Sequence, residues 1–107
     1  MKVVRNSILP LKGFKALTLW PFIFVRKGAR MDAATLRHEE IHGEQQKEML
    51  VVGFYLWYAV EWIVRVLVCL ECHMAYRMVS FEQEAYWNEG DERYFEKRRH
   101  YAWIRYL

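Results

Sequence analysis

Proline is scarce in this sequence and confined to one end of it. Pro10 and Pro21 are the only two, and both fall within residues 1–30. Gly13 and Gly28, two of only five glycines, share that stretch. The chain therefore divides into a turn-rich opening and a remainder free of strong helix breakers. Internal repeats and low-complexity linkers are absent as well, and 107 residues suffice for one domain around a single core. No leading apolar region with a small-residue cleavage site is present, which sets the expectation of a cytoplasmic protein. Charge of one sign is also short. Lys and Arg together exceed Asp and Glu by three, and no recognised nucleic-acid motif accompanies that small excess. The run Lys97-Arg98-Arg99-His100 reads as a solvated face or as helix C-terminal charge. Nucleic acid is not an expected partner.

What the chain has in quantity is apolar and aromatic surface, 54% and 17% of its residues. Phe14 to Trp20 alternates loosely, and Phe22-Ile23-Phe24-Val25-Arg26 is β-branched and aromatic. The pattern predicts two short strands turning near Trp20-Pro21, with Lys27-Gly28-Ala29-Arg30 as the exit loop. Such a hairpin either covers the core or offers an edge to an extended peptide. Val51 to Leu70 is twenty residues with two charges, Glu61 and Arg65, spaced to pair on a helix. That length matches a bilayer. Mid-span charges are expensive in lipid, however, the tryptophans form no terminal belts, and the mean hydropathy is −0.17. The segment is expected to be a buried or membrane-surface helix in preference to a span. Cys69-Leu70-Glu71-Cys72-His73 matches the haem-attachment pattern C-x-x-C-H, but reduced, inert thiols are the expected state without export.

The chemistry concentrates in Thr35-Leu36-Arg37-His38-Glu39-Glu40-Ile41-His42, which contains H-E-x-x-H. Asp32 can N-cap a run of helix formers there, with no Pro or Gly before Gly43. Residues four apart share a helix face, so His38 and His42 can offer two imidazole nitrogens to one metal ion. Ala34, His38, Ile41, His42, Gln45 and Met49 share that face, which turns the histidines inward. Glu39 is then placed as a general base for a water held at the metal. A third ligand is needed, and Glu82 is the candidate. It lies in Ser80-Phe81-Glu82-Gln83-Glu84-Ala85-Tyr86, where Ser80 and Gln83 form a capping-box pattern at the start of a second helix. Glu82, Ala85, Tyr86 and Glu89 share one face of it. Gly90-Asp91 marks a break, a charged helix follows from Glu92, and the aromatic ending Tyr101 to Leu107 is assigned to packing.

These motifs resemble the zincin metallopeptidases, and within them the gluzincins, whose third ligand is a glutamate on a later helix. Glu82-Gln83-Glu84-Ala85 resembles the glutamate-x-x-alanine element of prenyl-protein-processing membrane peptidases. Thr35, Ile41 and Gly43 fit the extended pattern, whereas Glu40 and Glu44 depart from it. Tyr86 stands where those peptidases carry an aspartate that orients a ligand histidine. The resemblance spans residues 32–89. It implies zinc bound by His38, His42 and Glu82, Glu39 as general base, and a peptide or protein substrate. A peptidase also needs an electrophile at the developing oxyanion. Tyr86, Tyr76, Arg77, His73 and His100 are chemically suitable.

The expected architecture is a single α+β, helix-dominated, zincin-like domain over residues 1–107. It comprises a small N-terminal antiparallel β-hairpin in 1–30, a metal-site helix at 32–50, an apolar helix at 51–72, and the third-ligand helix and tail at 80–107. The expected function is zinc-dependent peptide-bond hydrolysis. The alternative is a non-catalytic binding or scaffold protein on the same fold, docked at a membrane surface.

Overall fold

The computed structural model describes residues 1–6 and 15–107. Pro10, Gly13 and Phe14, used above to place the opening turns and first strand, lie outside the described residues. The fold is α+β and helix-dominated, as the patterning predicts. Strands β2 (Ala16–Leu19) and β3 (Phe22–Arg26) form the expected antiparallel pair, joined at the cis Trp20–Pro21 bond. A further strand, β1 (Lys2–Asn6), was not expected. It pairs parallel to β3, giving a three-stranded sheet in the order β1-β3-β2. Ile23 and Val25 alternate inward from β3 and are fully buried, which the period-two pattern of a strand produces.

Helix α1 (Ala33–Met49) begins as the sequence signals. Asp32 Oδ1 accepts the Thr35 N–H at 2.7 Å, a cap that contributes about 1 kcal/mol. Helix α2 (Val51–Cys69) follows almost without a loop, the chain turning at Leu50 with φ of 59°. Leu70, in the left-handed region, ends α2, and α3 (Cys72–Met78) then packs back against it. The expected apolar helix through residue 72 is thus two elements. Helix α4 (Ser80–Asn88) comes next and contacts α1. The break near Gly90-Asp91 is present, but only a single turn of helix, α5 (Tyr94–Lys97), follows before a 3-10 helix, Ala102–Tyr106.

The core joins α2, α4 and the tail. Phe54, Val79, Phe81 and Trp103 are all nearly inaccessible, with Tyr55, Tyr58 and Trp62 against them. Phe54 and Phe81 rings stand 4.4 Å apart, and each contributes about 2–3 kcal/mol through burial. A smaller cluster of Ile41, Ala85 and Tyr94 packs α1 against α4.

Three expectations are corrected. The capping box does not form: Val79 is the N-cap residue, and Ser80 donates its hydroxyl to Glu61 Oε1 at 2.6 Å. Glu61 Oε2 takes the Ser80 N–H at 2.6 Å, so a carboxylate from α2 caps α4. A carboxylate that accepts both the Ser80 N–H and its hydroxyl leaves the Gln83 amide no place at this helix start and complements the helix dipole. Nor is α2 a buried helix, because only Phe54 and Glu61 along it are buried. Its two charges do pair, Arg65 to Glu61 at 3.3 Å. Finally, Arg98 is not on a solvated face. Its side chain is 6% exposed and clamped between Glu48 and Glu84, where four charge-assisted hydrogen bonds offset its desolvation.

Candidate metal centre

Helices α1 and α4 bring His38, His42 and Glu82 together. His38 Nε2 lies 3.1 Å and His42 Nε2 3.2 Å from Glu82 Oε1, and the two imidazole nitrogens are 3.2 Å apart. All three residues are buried. Ligand atoms about 2.0–2.2 Å from a tetrahedral ion stand roughly 3.3–3.6 Å from one another. The cluster is therefore a few tenths of an ångström tighter than a loaded site. These three side chains could hold a metal ion.

The hydrogen bonds around the cluster fix which nitrogen faces inward. Gln45 Nε2 donates to Phe81 O and to Glu84 Oε1, each at 3.0 Å. Its amide orientation is thereby set, and its Oε1 must accept from His42 Nδ1 at 2.8 Å. Glu89 Oε2 accepts from His38 Nδ1 at 2.9 Å. Both Nδ1 atoms are thus committed as donors, which leaves both Nε2 lone pairs for a metal. Glu82 is held in turn by the Tyr58 hydroxyl, donating to Oε2 at 2.8 Å. The donor set therefore fits a metal ion by chemistry as well as by distance.

Without a metal the same atoms need a proton to coexist. Burial alone would lower the His42 pKa, but the Glu82 charge and hydrogen bond, aided by Glu39 and Gln45, raise it to about 9. Glu82 is affected conversely. Burial opposes its ionisation, yet His42 and His38 hold it well below the carboxylate range. Both shifts favour an imidazolium–carboxylate pair in the metal-free centre.

Glu39 is buried beside the cluster on α1. Thr18 Oγ1, on β2, stands 2.8 Å from Glu39 Oε1 and 3.1 Å from its backbone carbonyl. Two backbone groups at the end of β2 are also held from the helices. Gln46 accepts from Trp20 N at 2.7 Å and donates to Thr18 O at 2.8 Å, and the Tyr55 hydroxyl also donates to Thr18 O. At Thr18 and Trp20 the hairpin is therefore bound to α1 and α2, and these two backbone groups are not free to pair with an extended peptide.

Of the five candidate electrophiles, two border the cluster. The Tyr86 ring packs edge-on to His38 at 4.5 Å, and Tyr76 hydrogen-bonds with Tyr86. Burial first, then Glu82, raises the Tyr76 pKa, so its hydroxyl stays protonated. Arg77 lies 4.0 Å over the Tyr86 ring, and His73 is exposed near Tyr76. His100 is 93% exposed beside Glu48. Cys69 and Cys72 are free thiols.

Sequence reasoning missed three supporting residues, Gln45, Tyr58 and Glu89. Glu89 had a signal, since it shares a helical face with Glu82, Ala85 and Tyr86. It supplies the histidine-orienting carboxylate for which the aspartate position, occupied by Tyr86, cannot serve. No protein-family model, curated protein or solved structure matches the chain.

Proposed function

We propose that this protein is a zinc-dependent hydrolase of peptide bonds, of the gluzincin type. The carrying observation is the mutual approach of His38 Nε2, His42 Nε2 and Glu82 Oε1 within 3.2 Å, with both Nδ1 atoms held by acceptors. In this reading the three side chains are zinc ligands, and two nitrogens with one carboxylate leave an open coordination position. Zinc there would supply Lewis acidity, polarising a scissile carbonyl and lowering the pKa of water. Glu39 takes the proton from the attacking water and delivers it to the leaving amine. Thr18 holds one oxygen of Glu39 and leaves the other for that transfer. Of the candidate electrophiles, Tyr86 and its hydrogen-bonded neighbour Tyr76 border the cluster and are the donors this reading assigns to the oxygen on which negative charge develops.

Metal analysis and one conservative variant test this. About one zinc per chain is expected, lost in His38→Ala. Glu39→Gln is expected to keep the metal and abolish peptide hydrolysis. Stoichiometric zinc with unaltered hydrolysis in that variant refutes the base assignment.

A second reading is favoured by the burial of the ligands and by the bonds that hold Thr18 O and Trp20 N beside them. Surface cavities of about 330 and 220 Å³ border other residues, among them Trp20 and Glu44 in one and Tyr94 and Arg105 in the other. In this reading the metal-holding domain is a non-catalytic binding or scaffold protein. It predicts stoichiometric metal and no cleavage of any peptide library.

A further inference from the structure

The longest helix leaves one whole side in solvent. Leu56, Val60, Ile63, Val64, Leu67 and Val68 are each more than half exposed. Their spacings of three and four place them in one stripe along α2. Leu50 and Leu70 extend it at the two ends, 74% and 83% exposed. The exposed apolar area is on the order of 1,000 Å², where the largest patch of a monomer is typically ~300–600 Å². We propose that α2 lies flat on a lipid bilayer, with this stripe in the acyl-chain boundary.

Three observations select lipid as the occupant. First, the ionisable residues of α2 are kept off the stripe. Glu61 is 9% exposed and accepts hydrogen bonds from Ser80 N, Ser80 Oγ, Trp57 and Arg65. The mid-helix charges that lipid would penalise are thus turned to the protein and satisfied there. Second, Trp57, Ala59 and Val66 border the stripe, and the charges nearest it, Glu61 and Arg65, are paired with each other at 3.3 Å and do not form a rim of free charges that would fix register with a partner helix. Third, α2 is 19 residues long and apolar enough by composition to cross a membrane, so its length of about 28 Å offers lipid an unbroken surface. Its opposite face is committed to Phe81 and Glu82 through Phe54 and Tyr58. In this proposal the domain holds one face of α2 while the stripe enters the acyl-chain boundary, so α2 lies in the interface plane. Lipid seating does not depend on a metal at His38, His42 and Glu82.

Flotation of the full chain with neutral phosphatidylcholine vesicles tests the proposal. The chain is expected to float, and equally well in 1 M NaCl, because salt does not screen apolar insertion. The variant L56Q/I63Q/L67Q is expected to remain in solution, with partition reduced by roughly tenfold or more for each side chain. Its helical circular dichroism is expected to be unchanged, because all three side chains face solvent. Should that variant misfold, quenching of the wild-type Trp57 emission by brominated lipid decides instead, since Trp57 borders the stripe and is 41% exposed. Failure of the wild-type chain to float overturns the proposal. Binding confined to anionic vesicles and lost in 1 M NaCl also overturns it, because attraction of the net charge of +3 would then account for it. So does a soluble dimer that the triple variant converts to monomer while neither form binds vesicles.

Discussion

Loading the centre should be governed by a proton on His42. In the metal-free chain Glu82 raises the His42 pKa to about 9, so at neutral pH an incoming ion must displace that proton. Each pH unit below about 9 then costs about 1.4 kcal/mol of apparent affinity, which between pH 7 and 9 amounts to about a hundredfold. Competition with a chromophoric chelator at pH 7, 8 and 9 measures the slope. Calorimetry in buffers of different ionisation enthalpy counts the released proton. Glu82→Gln provides the control. Without the carboxylate only Glu39 and Gln45 oppose burial, the largest influence on the His42 pKa, so the slope above pH 7 should flatten while affinity falls. Stability of the metal-free chain follows the same linkage. The His42 contribution is complete below its unfolded pKa near 6.5 and is lost as pH rises through about 9. The Glu82 pKa is depressed, so its contribution is complete above 4.5 and lost as pH falls. The contribution of the His42–Glu82 pair to metal-free stability is therefore expected to be greatest between about pH 4.5 and 6.5. An affinity that is flat from pH 7 to 9, with no proton released, would refute the reasoning.

The surrounding hydrogen bonds make further predictions. Glu89→Gln should weaken metal binding by about 10–100-fold without unfolding the chain, since it loosens the acceptor that orients His38; equal affinity by chelator competition would remove Glu89 from the site. Arg98→Met should destabilise the fold by about 3–5 kcal/mol in urea denaturation, because it leaves Glu48 and Glu84 buried without their cation. A loss under about 1 kcal/mol would show that water replaces the clamp.

Much of the centre was legible because its signals are local. The four-residue spacing of His38 and His42 states a shared face, and the Asp32 cap marks where that face begins. The turn at Trp20–Pro21 was legible for the same reason. What escaped was decided between distant segments. β1 depends on a parallel partner twenty residues away, and Lys2–Asn6 is too short and polar to announce it. The Ser80 cap was misread because the competing acceptor, Glu61, comes from another helix. Arg98 reads as surface charge until Glu48 and Glu84 converge on it. The exposure of α2 was hidden for a different reason: an apolar stripe states a preference for leaving water, and says nothing about whether protein or lipid receives it.

Gln46 does for the sheet what a final strand would do. An edge strand is an open template, and chains that leave one bare risk adding copies of themselves without limit. Here a single carboxamide donates to Thr18 O and accepts from Trp20 N, reproducing the donor–acceptor pair of one more residue of ladder. It then ends in a helix that cannot propagate the pairing. At Thr18 and Trp20 the place of a further strand is taken by a side chain of α1, so the helix that carries His38 and His42 also blocks strand addition at that point.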